Sequence, residues 1–101
     1  MSKAKTKPFD PAEYLDDSES IAAYLTDALE SEDPAFVVDA LGVVARARGM
    51  SEIAREAGVS RESLYRSLST DGNPEFATVL RVLHALGLQL SATPVRHKKL
   101  A

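Results

Sequence analysis

The sequence predicts a mainly α fold, five helices followed by one short C-terminal β-strand. Three observations carry that expectation. Apolar residues recur at helical spacing in successive stretches. Those stretches open on capping residues and close on glycines or turn clusters. Only after Gly87 does the period change from helical to two.

The first helix is expected from Ser18, which can cap it, with Ile21, Ala22, Leu25, Ala28 and Leu29 on one face. The acids of DDSE stand at its N-terminal end, where the helix dipole favours them. Asp33 followed by Pro34 opens the second helix, because proline's missing N–H costs nothing at the first helical position. Val37, Ala40, Leu41, Val44 and Ala45 form its stripe, Arg46 and Arg48 fall in its last turn, and Gly49 can end it. Ser51 is expected to cap a third helix through Ala57, stopped by Gly58. Ser60 caps a fourth, running to about Leu68. After the turn cluster STDGNP, Asn73 and Pro74 repeat the cap-then-proline device. The fifth helix is expected to bury Phe76, Val79, Leu80, Leu83 and Leu86, with His84 as a packing residue. Leu88, Leu90 and Ala92 then alternate with polar residues as a strand, until Pro94 stops it. A lone strand needs a partner, and the same strand of a second copy would supply one in a homodimer.

The 101 residues suffice for one domain and leave no room for separate catalytic and cofactor domains. The expected organisation is a flexible basic arm over residues 1–8, a single domain over 9–94 and a flexible basic tail over 95–101. Cysteine is absent, which excludes disulfides, thiolate metal sites and a cysteine nucleophile. MSKAKTKP leads into FDPAEYLDDSES and not into an apolar run, and no stretch is long and apolar enough for a membrane span. A cytoplasmic protein without cofactor or metal is the expectation. No H-E-x-x-H, nucleophile elbow or phosphate loop is present, so an enzyme is not expected.

Net charge is −3, but it is unevenly spread. Between residues 8 and 33 stand nine acids and no lysine or arginine, whereas both flanks carry a basic excess. Such segregation speaks about partners, not about fold. The acidic stretch is either a solvated helix face or a docking surface for a basic partner. Its candidates are Asp16, Asp17, Glu19, Tyr24, Asp27 and Glu30.

Residues 49–69, GMSEIAREAGVSRESLYRSLS, meet the local demands of a helix-turn-helix over about 51–68. Ala54 is small where a second helix must cross closely, and Gly58 tolerates the turn's positive φ. Ile53, Val59 and Leu64 point inward. Arg61, Glu62, Ser63, Tyr65 and Arg66 are left on the outer side, at the end that would enter a major groove. Arg61 and Arg66 suit guanine O6 and N7, and Glu62 suits cytosine N4. Ser51, Ser60 and Ser63, with helix N-termini behind them, and more weakly Arg55, suit phosphate oxygens. The plainer alternatives are a helical hairpin, a Glu62–Arg66 surface pair and a half-buried Tyr65.

With FDPAEYLDDSESIAAYL, then ARARGMSEIAREAGVSRESLYRSLS, then DGNPEFATVLRVLHALGLQL, the chain resembles the probable addiction-module antidote family. These are HigA-like antitoxins with a helix-turn-helix of phage-repressor (Cro) type, and the resemblance runs from about Phe9 to Pro94. It implies a lambda-repressor-like domain and an antitoxin that binds a RelE/ParE-like toxin directly. It also implies repression of the shared operon by a dimer on double-stranded operator DNA. The reading helix falls on residues 60–68. Two positions depart from the pattern: Met50 stands where a phosphate-contacting glutamine is usual, and Ser67 where a buried apolar residue is usual, with Leu68 substituting. A stand-alone prophage-type repressor and a pure interaction module are the competing readings.

Overall fold

The computed structural model describes residues 17–95, and five helices account for most of them. They are α1 (Ser18–Glu30), α2 (Pro34–Arg48), α3 (Met50–Ala57), α4 (Arg61–Ser67) and α5 (Phe76–Ala85). α1 packs on α2, α2 on α3, and α3 on both α4 and α5. One apolar core gathers all five, from Ile21 and Leu25 through Leu41, Val44, Ile53 and Leu64 to Val82 and Leu86.

Local chemistry sets most helix ends. Asp17, one residue before the expected Ser18, caps α1 by accepting from the Ser20 N–H at 2.7 Å. That bond to the ionised carboxylate holds the Asp17 carboxyl below its ordinary range. Asp33 caps α2 through the Ala35 N–H at 3.1 Å, with Pro34 in the first turn as the sequence suggests. Gly49, at φ 115°, ends α2 and serves at once as the N-cap of α3. α3 therefore begins at Met50, and the expected Ser51 cap is not formed, because Ser51 already lies inside the first turn. Gly58 closes α3 in the left-handed conformation, φ 77° and ψ 26°.

Four expectations near the C-terminal end are corrected. α5 opens at Phe76, not at Asn73 and Pro74, since Glu75 is still extended (φ −65°, ψ 150°) and gives no side-chain cap. Phe76 is 64% exposed and Leu80 41%, because α5 turns Val82 and Leu83 to the core. His84 is exposed and packs nothing in the core. No strand occurs among the described residues. Instead, the Leu88 N–H bonds the Leu83 carbonyl at 2.9 Å and closes the end of α5. Among the described residues of this one chain, no segment forms a ladder with residues 88–92, whose expected partner is the same segment of a second copy.

Gly42 gives α2 a function that the helical periodicity did not show. It is buried mid-helix, and a Cβ there would stand 2.9 Å from the Leu68 carbonyl oxygen and 3.2 Å from the Arg46 guanidinium. Two effects oppose each other in Gly42→Ala. Helix propensity favours alanine by about 1 kcal/mol, while overpacking against backbone costs about 1–3 kcal/mol. Arg46 can swing aside but the Leu68 carbonyl cannot, so we expect net destabilisation in a urea melt. A variant more stable than the parent would show that α4 does not end against α2.

Candidate nucleic-acid interface

The exposed chemistry of residues 51–66 follows from how α3 and α4 are joined. Ala54, buried, keeps the crossing close, and its carbonyl receives the Val59 N–H at 3.0 Å after the chain has turned at Gly58. Ile53 and Leu64 are buried, and Val59 is half-buried against the same core. Ser60 is extended and accepts the Ser63 N–H on its hydroxyl at 3.0 Å, capping α4 as expected. Leu64 and Leu68 then face inward, and Ser67 is only half-buried. Leu68 thus takes the core position that Ser67 does not fill.

The opposite side of the pair is polar. Ser51, Arg55, Ser60, Arg61, Glu62, Tyr65 and Arg66 are exposed, and Ser63 is half-buried. The Arg61 guanidinium lies 5.4 Å from the centre of the Tyr65 ring, a cation–π contact that holds it along the helix. The Arg66 guanidinium reaches the Ser63 hydroxyl at 3.4 Å, a long bond that leaves most of its donors free. Arg61 and Arg66 therefore both stand exposed on a short, well-anchored helix, five residues and so more than one turn apart. Met50, by contrast, is 4% exposed and belongs to the core, so it has no route to a phosphate.

Ser60→Ala removes the only side-chain cap of the seven-residue α4. Loss of such a cap costs about 1 kcal/mol. The expected result is faster amide exchange at Glu62 and Ser63 with the core amides of α2 unchanged. Unaltered exchange at both positions would mean that the cap contributes nothing.

The acidic candidates divide differently. Glu19, Asp27 and Glu30 are exposed on α1, and Asp17 is committed to its cap. Tyr24 is half-buried against the core, and burial together with the Asp39 carboxylate raises its pKa. Asp16 lies outside the described residues. Among the described residues no cluster of His, Asp or Glu is arranged to hold a metal ion, and no helix is long and apolar enough to cross a membrane.

These features define a small, mainly helical protein whose exposed chemistry is divided between an arginine-bearing helix pair and an acidic first helix. The chain belongs to the family described as probable addiction module antidote protein, whose model matches residues 5–94. It is also similar to a protein of Haemophilus influenzae that is described only as an uncharacterized protein. The two are 50% identical over 90 residues, 89% of this chain and 93% of that relative. No solved structure matches the chain. An antidote acts against a toxin, so membership implies a toxin as partner.

Proposed function

We propose that this protein is the antitoxin of a type II toxin–antitoxin module in the cytoplasm. It binds a RelE/ParE-like toxin directly and represses the operon that encodes both. In this reading α3 and α4 form a HigA-like helix-turn-helix of phage-repressor type, and a homodimer presents two of them to a two-fold operator. The observation that carries the DNA-binding half is the exposed Arg61 and Arg66 on a helix capped by Ser60 and anchored by Leu64. Arg61 and Arg66 would address guanine edges and Glu62 a cytosine, while Ser51, Arg55, Ser60 and Ser63 would position the phosphates. Tyr65 orients Arg61. Since the helix pair is not strongly basic, non-specific affinity is weak and specificity depends on two half-sites.

The test is footprinting on the chain's own promoter, alongside co-purification with the product of the adjacent gene. The expected footprint covers two half-sites about one helical turn, roughly 10 base pairs, apart. Protection of a single half-site would remove the dimer. Operator binding without any complex between the two gene products would favour a stand-alone repressor.

A further inference from the structure

A groove of about 370 Å³ lies between the end of α1, the first half of α2 and α5. Its lining includes Leu29, Val38, Leu41, Phe76, Val79 and Leu83, and no residue of α3 or α4 contributes to it. Leu29 at 42% and Phe76 at 64% exposed are apolar side chains presented to water around it. Exposed apolar surface joined to a groove marks an interaction site more often than scattered exposure does.

Charge identifies the occupant. Glu32 lines the groove, and Glu30, Asp33, Asp39 and Glu75 are immediate chain neighbours of lining residues. No lysine or arginine is found among the lining residues or their immediate neighbours. A second copy docked symmetrically here would set these acids against their own counterparts, which is unfavourable. A small ligand would lack the convergent polar groups that orient one. We infer that this groove, and not the outer acidic face of α1, seats the toxin, through an amphipathic helix with apolar residues inward and lysine or arginine along its rim. This rests on the antitoxin reading and assigns that reading its toxin surface. Because α3 and α4 stand apart from the lining, toxin and operator can be held together.

The test uses the full chain and two synthetic helical peptides. Both carry leucine at i, i+3, i+4 and i+7, and the remaining positions are lysine in one and glutamate in the other. The lysine peptide is expected to shift the amide resonances of Leu29, Val38 and Leu83. It is also expected to bind a Leu29→Ser/Phe76→Ser variant at least about tenfold more weakly, while the glutamate peptide does not bind. Both substituted residues are exposed, and circular dichroism checks that the variant keeps its helices. Equal binding of the two peptides overturns the inference, as do shifts confined to Glu19 and Asp27. So does a homodimer of the free chain that disappears in the variant.

The adjacent gene's product separates this inference from the reading beneath it. Weaker binding of that product to the variant supports both. Binding to parent and variant alike removes the groove assignment and leaves the antitoxin reading standing. Binding to neither, with the lysine peptide still seated, removes the antitoxin reading and leaves a groove for basic helices.

Discussion

An Arg61→Ala/Arg66→Ala double variant is expected to lose at least about 30-fold in affinity for its operator while keeping its fold. Each bidentate arginine–guanine contact is worth about 1–3 kcal/mol of discrimination, and every 1.4 kcal/mol is about tenfold. The two side chains are more than one helical turn apart and touch different neighbours, Tyr65 and Ser63, so their losses should be close to additive. The folding cost is small, since both are exposed and the Ser60 cap remains. What the fold loses is one exposed cation–π contact, about 0.5–1 kcal/mol, and the long, exposed Arg66–Ser63 hydrogen bond. Arg81→Ala is the control, an exposed arginine on α5 outside the helix pair. Gel shifts on specific and scrambled duplexes give the measurement. If the double variant binds the operator as the parent does, base reading by this helix is wrong.

Leu64→Ala should have the largest effect on stability. Leu64 is fully buried and is the residue by which α4 itself enters the core that also holds Ile53 and Leu68. Truncating such a leucine costs about 2–5 kcal/mol, from lost transfer energy and from the cavity left behind. In a domain of this size each kcal/mol lowers Tm by about 4–8 °C, so the melting temperature should fall by roughly 10 °C or more. Loss of operator binding should accompany it even below the new Tm, since the orientation of Arg61 and Arg66 depends on this anchor. Tyr65→Ala, one residue away on the exposed side, should change Tm by only a few degrees. A drop for Leu64→Ala no larger than that for Tyr65→Ala would mean that α4 is not held through Leu64.

The candidate interface was legible in the sequence to an unusual extent because each of its requirements is local. A glycine needed for positive φ, a hydroxyl three residues before the N–H it accepts, and a leucine at the fourth position of a short helix are each decided within a single turn. Gly58, Ser60 and Leu64 could therefore be assigned from the sequence, and the structure puts them to those uses. Gly42 could not, since what makes it a glycine is the Leu68 carbonyl, distant along the chain. Met50 looked like a departure at a surface position and is a core residue, because α3 starts at Gly49 and the helix turns it inward.

The acidic stretch was read as a surface in its own right, and its uneven charge was plain in the sequence. That part of it frames an apolar groove was not, because the groove needs α1, α2 and α5 side by side. Periodicity places Phe76 and Leu80 on an apolar stripe but cannot say whether another element covers that stripe.

By itself the sequence determined the five helices, the caps at Asp33 and Ser60, the turn at Gly58, the inward set Ile53, Leu64 and Leu68 and the segregation of charge. Those depend on dihedral preferences and hydrogen bonds that reach only a few residues along the chain. The tertiary structure alone decided that Phe76 and Leu80 stay exposed and that Gly42 admits the end of α4. Each of those depends on which distant segment arrives alongside, and only the packed chain contains that information.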